Sequence, residues 1–222
     1  FLNEGESLLT RAQAVSLRAH FHIEQRARYL SGRFFHFNGT AGLWRRVAIE
    51  DAGGWEGDTL TEDLDLSYRA QMRGWRFSYL DDLVCPSELP PTLQAFKTQQ
   101  HRWMKGTAEV ARKVLPGLVA SSLPVRVKVE AVAHLLSPLA YAGSLLSFLL
   151  GPLILLAAPL LPGPLISLYQ AALFGVLGIL VLYHLAAERG TGSWRGPVEF
   201  ARGFLALLLV GAGNSLTGTR AY

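Results

Sequence analysis

From Ala131 to Ala187 the chain carries no Asp, Glu, Lys or Arg. A run that long exceeds two passes of ~20 apolar residues through a ~30 Å hydrocarbon layer, so a purely water-soluble domain is excluded. Beyond residue 130 the 21 Lys and Arg are represented only by Arg189, Arg195, Arg202 and Arg220, and the 17 acids only by Glu188 and Glu199. Two parts are therefore expected: a polar portion over 1–130 and a membrane region over 131–222. Spans are expected at about 133–159, 165–187 and 203–216, the first containing Pro138 and Pro152. The uncharged stretch Leu160 to Pro164 forms a tight connection between the first two spans.

The flanks of these spans are asymmetric. Arg112, Lys113, Arg126, Lys128, Arg189, Arg195 and Arg202 all fall on one side, and the 160–164 turn has no charge. The positive-inside rule places the first 130 residues in the cytosol, on a multi-pass protein of the cell membrane. The formal charge of +4 is small and mixed in sign, so no nucleic-acid partner is expected. Cys85 stands alone, which excludes an internal disulfide and a cysteine-based zinc cluster. Its Leu-Val-Cys-Pro setting suggests a small buried side chain.

Within the polar portion, residues 6–31 lack Pro and interior Gly and set Leu8, Ala12, Val15, Ala19 and Ile23 at helical spacing. A long surface helix stopping at Gly32 follows. His20, His22 and His36 lack a metal-ligand pattern and are expected to pack or face solvent. "RFFHFNGTAGLWRR" (33–46) reads as a buried strand, a glycine bend and a second extended piece; "WRFSYL" (75–80) reads as another strand. Short helices are expected over 45–54 and from the acidic cluster at Glu62, and a third from Thr92 through "QQHRWMKG". Alternating helices and strands suit part of an α/β domain, here followed by an all-α transmembrane region.

Three patterns in this portion invite a chemical reading. Asn38-Gly39-Thr40 is a small-residue bend that lets a bulky ligand approach the backbone, or simply a turn. Glu62, Asp63 and Asp65 crowd a helix start, where the dipole favours anions and Thr59 or Thr61 can cap. Gln99, Arg102 and Trp103 share one helix face. They offer an amide, a guanidinium fork and an aromatic plate, suited to a sugar ring and a diphosphate or to a membrane interface.

Taken together, "FNGTAGLWRR", "DAGGW", "TEDLDLSYRAQMRGW" and "SELPPTLQAFKTQQHRWMKG" resemble the family 2 glycosyltransferases of the cellulose synthase kind. The wording is most similar to the glucomannan and mannan synthase (cellulose synthase-like A) group, over roughly residues 5–113 and more loosely beyond. The resemblance implies a partial GT-A-like nucleotide-sugar transferase domain. Its expected reaction is an inverting transfer from a nucleotide-diphosphate sugar, GDP-mannose or UDP-glucose, to a growing β-linked polysaccharide. It implies Asp63 as general base, with Glu62 and Asp65 orienting or capping. Arg102 would steady the diphosphate, Trp103 would stack on a sugar, Gln99 would position the helix or nucleotide, and Asn38, Gly39 and Thr40 would line the acceptor side.

The family's two further aspartate motifs, one for the nucleotide and a metal-holding D-x-D, precede this part, and the one D-x-D here is Asp63-Leu64-Asp65. The expectation is a C-terminal fragment, inactive alone, with no metal ligand of its own. Mg²⁺ or Mn²⁺ is expected to be held upstream. The remaining partners expected are the polysaccharide acceptor and membrane lipid. Two other functions stay open: a non-processive transfer of one sugar to a lipid carrier, and a non-enzymatic membrane scaffold.

Overall fold

The structure, a computed structural model, describes residues 1–192 and 194–219, without the side chains of residues 216–218. The expected long helix forms as one rod. It comprises α1 (Leu8–Arg18), a π-helical stretch (Ala19–Gln25) and α2 (Arg26–Leu30), closed by Gly32 at φ 65°. Ser7 and Thr10 make a reciprocal capping box at its start. The apolar stripe is buried at Ala12, Val15 and Ala19, while Leu8 is exposed. Arg18 is buried too, held between Glu4 and Glu188. The rod is thus a joint rather than a free surface helix, packed against α8 (Gly163–Gly190) and α9 (Pro197–Thr219).

A π turn widens the helix and loosens its carbonyls for other donors. Two tyrosines use them: Tyr183 of α8 donates to Ala19 O at 3.0 Å and Tyr79 donates to Phe21 O at 2.9 Å.

Three helices make the main core: α4 (Glu62–Met72), α5 (Leu93–Ala120) and α6 (Val125–Leu135). Tyr68, Val110, Leu118 and Leu135 are fully buried there, around Phe34. Each such side chain removed from water is worth ~1.5–3 kcal/mol before conformational entropy is counted. A second cluster gathers Ala52, Leu66 and Ala70 beneath Trp44, Trp75 and Phe77, beside α3 (Arg46–Asp51), which ends at Gly53 and Gly54 with φ near 90°.

The strands expected from the α/β reading are absent among the described residues. Both 33–38 and 75–80 lie outside the helices, and no strand ladder joins them. They meet through rings instead: Phe35 lies edge-to-face with Phe77 and with Tyr79. Phe35 bonds Gln71, Phe37 bonds Ser67 and His36 accepts from Gln25, so this backbone pairs with helix side chains and not with a neighbouring strand. Cys85 corrects another expectation, being exposed on an open loop.

The membrane region also differs in its bounds. The helix expected from about residue 133 starts later, because Val127, Ala131 and Leu135 of α6 belong to the core and Leu136–Pro138 breaks the chain. Then α7 (Leu139–Ala157) begins, with Pro152 inside it. Among the described residues two helices are long and apolar enough to cross a membrane, Leu139–Leu160 and Gly163–Gly190. The residues expected as a third span lie in α9, which carries Arg202 and Asn214, packs against α1, α5 and α7, and is not one of those two helices.

Candidate active site

The acidic helix opens without the cap expected of it. Thr61 is the N-cap residue but its hydroxyl bonds nothing, and Thr59 Oγ1 is likewise buried without a partner, so the Thr59-Glu62 capping box does not form. The three acids have separate surroundings. Asp65 is fully buried and pairs with Arg69 (2.8 Å) and Lys113 (3.1 Å). Glu62 is half-buried beside the site. Asp63, also half-buried, accepts from Leu64 N–H at 2.8 Å through Oδ1 and leaves Oδ2 beside Gly39.

Gly39 is the residue that brings the first two patterns together. Its φ of 80° suits glycine, and a Cβ added there would lie 3.0 Å from Asp63 Oδ2. Thr40 is exposed next to it, while Asn38 is half-buried and accepts from Gln25 Nε2 at 3.3 Å. The bend and the carboxylate therefore share one surface.

The third pattern arrives on α5. Gly106, three residues after Trp103 and on the same face, presses on the start of α4, where an added Cβ would meet Thr61 Cγ2 at 2.5 Å and Thr61 N at 2.8 Å. Glu109 accepts from Leu60 N–H at 2.9 Å, and Lys113 reaches Asp65, so α5 is pinned to α4 at three successive turns. Gln99 is half-buried; Arg102 and Trp103 are exposed, Trp103 to 37%. Among the described residues neither Arg102 nor Trp103 has a side-chain hydrogen bond or ion pair, leaving a guanidinium and an indole to face a ligand.

Asp63 is influenced by both neighbours. Burial raises its carboxyl above the ordinary aspartate value and Glu62's charge adds to this, while the Leu64 amide and Arg102's charge pull it down. The net direction is upward, although the helix start favours the ionised form. A carboxylate moved toward neutral pH is a stronger base once ionised.

A resident metal is a poor fit to the acids described. Glu56, Asp58 and Asp65 present oxygens within 4.8 Å of one another, but Lys113 Nζ lies among them at 2.5, 2.8 and 3.1 Å. Arg69 adds a second cation, and Lys113's own pKa is raised by these hydrogen bonds against the cost of burial. A divalent ion would have to displace the ammonium. Asp63 takes no part in this cluster, so the local D-x-D does not act as one chelating unit.

The histidines pack, as expected. His36 stacks on His134 at 5.5 Å and lies 5.5 Å from His20, while Tyr68 Oη and His134 Nδ1 are 2.7 Å apart. Burial lowers His36 well below its ordinary value and takes His134 to about 3, so both rings are neutral behind the bend. The residues that sequence reasoning missed are those that hold the site: Gly106, Lys113, Gln25, Ser67 and Gln71. Only Gly106 carried a signal, its seven-residue spacing from Gln99, which returns to the same helix face.

A family model described as "Glycosyl transferase family group 2" matches residues 1–186. The chain belongs to this family. Glucomannan 4-beta-mannosyltransferase 2 of Arabidopsis thaliana is 52% identical over 119 residues, covering 54% of this chain and 22% of that protein. Probable glucomannan 4-beta-mannosyltransferase 9 of Oryza sativa subsp. japonica is 51% identical over 115 residues, covering 52% and 22%. Glucomannan 4-beta-mannosyltransferase 7 of Arabidopsis thaliana is 47% identical over 121 residues, covering 54% and 22%. The chain spans about a fifth of the length of these family members. No solved structure matches.

Proposed function

We propose that this chain is the acceptor-side part of a membrane-bound inverting glycosyltransferase that extends a β-linked polysaccharide, with GDP-mannose or UDP-glucose as donor. The observation that carries the reading is one half-buried carboxylate, Asp63, whose Oδ2 lies so close to the Gly39 bend that a Cβ there would sit 3.0 Å away, with Arg102's charge among those acting on it. The printed names of the relatives, glucomannan 4-beta-mannosyltransferases, favour a mannan or glucomannan product.

In this reading Asp63 Oδ2 takes the proton from the acceptor hydroxyl as its oxygen attacks the donor's anomeric carbon. The bond from that carbon to the diphosphate oxygen breaks on the opposite face, and the electron pair leaves with the diphosphate. Arg102, without an internal partner, offers its fork to the departing charge, and Trp103 supplies a stacking plate for a sugar. Asn38, Gly39 and Thr40 line the acceptor side, Gln99 supports the helix or nucleotide, and Glu62 tunes the base. Membrane sidedness follows the basic flanks, with the site in the cytosol beside α7 and α8.

Radiolabelled donor supplied to membranes expressing the complete gene tests this. Alkali-stable labelled polymer is expected from the wild type, with loss of ~10²–10⁴ in rate for Asp63→Asn. Label confined to a lipid extract would favour the single-sugar reading; no label in either would favour a scaffold.

A further inference from the structure

Segment 35–39 and helix α4 run antiparallel, and their contacts repeat. Gln71 accepts from Phe35 N–H at 3.2 Å and donates to Phe35 C=O at 2.8 Å, engaging both groups as a neighbouring strand would. Ser67 Oγ accepts from Phe37 N–H at 2.9 Å. Asp63 Oδ2 meets Gly39. Every second residue of the segment, 35, 37 and 39, thus faces every fourth residue of the helix, 71, 67 and 63.

Elementary geometry explains why the match persists. Four residues of helix rise ~6.0 Å and two residues of extended chain ~6.6 Å, so the bonded rungs at 35 and 37 match the helix repeat, and the Gly39 bend at φ 80° then comes beside Asp63. Ser67 is fully buried and Gln71 nearly so. Both are anchored within the helix: Ser67 Oγ donates to Asp63 O at 2.6 Å, and Gln71 Nε2 also donates to Ser67 O at 2.8 Å. Buried Gln25 closes the far side, donating to His36 O at 3.2 Å and to Asn38 Oδ1 at 3.3 Å.

We propose that Ser67 and Gln71 are positioning residues that set the register of the Asn38-Gly39-Thr40 bend against the Asp63 carboxylate, and so align the acceptor sugar with its base. The inference rests on the reading of Asp63 given above. A two-residue slip would carry Gly39 off the carboxylate and place Phe37, a bulky side chain, where the backbone now approaches. With the rungs removed, the donor site is untouched but the acceptor hydroxyl is displaced from the base.

The test uses membranes with the complete enzyme and compares two fates of the donor: transfer to glycan and hydrolysis by water. Their ratio does not depend on how much of a variant is folded. Ser67→Ala and Gln71→Leu are each expected to lower transfer relative to hydrolysis by roughly tenfold or more, the scale of a misplaced reacting group, with donor KM unchanged. Amide exchange at Phe37 in Ser67→Ala and at Phe35 in Gln71→Leu should quicken locally. An unchanged ratio in both variants overturns the proposal. Asp63→Asn, run beside them, separates the two failures. Full transfer by that variant overturns the base reading and with it the reason for the register, whereas its loss of transfer with unchanged ratios in the others overturns the register alone.

Discussion

Gly106 of α5 and Thr61 at the head of α4 are in such close contact that no side chain fits between them; an added methyl would lie 2.8 Å from the Thr61 backbone nitrogen. Gly106→Ala therefore sets two effects against each other. Helix propensity gains about 1 kcal/mol, and overpacking costs about 1–3 kcal/mol. Backbone is among the atoms struck and cannot swing away, so overpacking wins. A lower melting temperature is expected, together with slower transfer as α5, which carries Arg102, shifts against the head of α4. A variant as stable and active as the wild type would mean that α5 shifts without consequence.

The pH profile of transfer has a signed dependence on the two charges beside Asp63. Rate falls on the acid side as Asp63 takes up a proton, at a pH above the ordinary aspartate range because burial raises this carboxyl. Glu62→Gln removes a charge that raises it, so the acid limb moves to lower pH. Arg102→Gln removes a charge that lowers it, so the limb moves to higher pH. Profiles measured at saturating donor check both directions; shifts of the same sign would contradict the assignment.

Among the described residues Arg102 and Trp103 make no side-chain hydrogen bond or ion pair, so Arg102→Lys is expected to change stability by less than about 0.5 kcal/mol. Trp103→Ala costs more, because an indole only 37% exposed gives up its buried surface. Their kinetic effects differ in kind. The lysine keeps charge but loses the fork and weakens use of the donor, whereas removing the indole impairs acceptor engagement and shortens the product. Thermal melts with donor titrations and product sizing distinguish these outcomes. Unchanged kinetics in both would leave only anchoring at the membrane interface.

Topology offers a prediction that does not rely on chemistry. Between α7 and α8 the chain turns at Leu161 and Pro162, and Gly163 begins α8. In a Cys85→Ser background, Gly163→Cys should react with an impermeant thiol reagent from outside intact cells. Thr191→Cys, at the other end of α8, should react only after the membrane is opened. The reverse pattern would put Asp63 outside, away from nucleotide sugars.

Charge and periodicity along the chain were enough to mark the apolar run, the long rod, α3 with its two glycines and the helix bearing Gln99, Arg102 and Trp103. These are local properties: hydropathy and helical spacing depend on neighbours within a few turns. The same locality misled where partners are distant. Residues 33–38 and 75–80 have strand composition, but Gln71 and Ser67 take up backbone groups of Phe35 and Phe37 that a strand would otherwise pair. Cys85 looked buried by its neighbours and is exposed, because its loop is held further along, where Leu2 bonds Ser87 and Asn3 bonds Leu89. Asp63 and Asp65 are indistinguishable at a helix start, yet two residues apart they point about 200° away from each other. One meets Gly39, and the other meets Arg69 and Lys113 from 48 residues along the chain. Sequence by itself determined which helices form and which residue types gather near the membrane. Tertiary structure alone decided that Asp65 is buried against two cations while Asp63 lies beside the Gly39 bend, because burial and long-range partners are not set by local order.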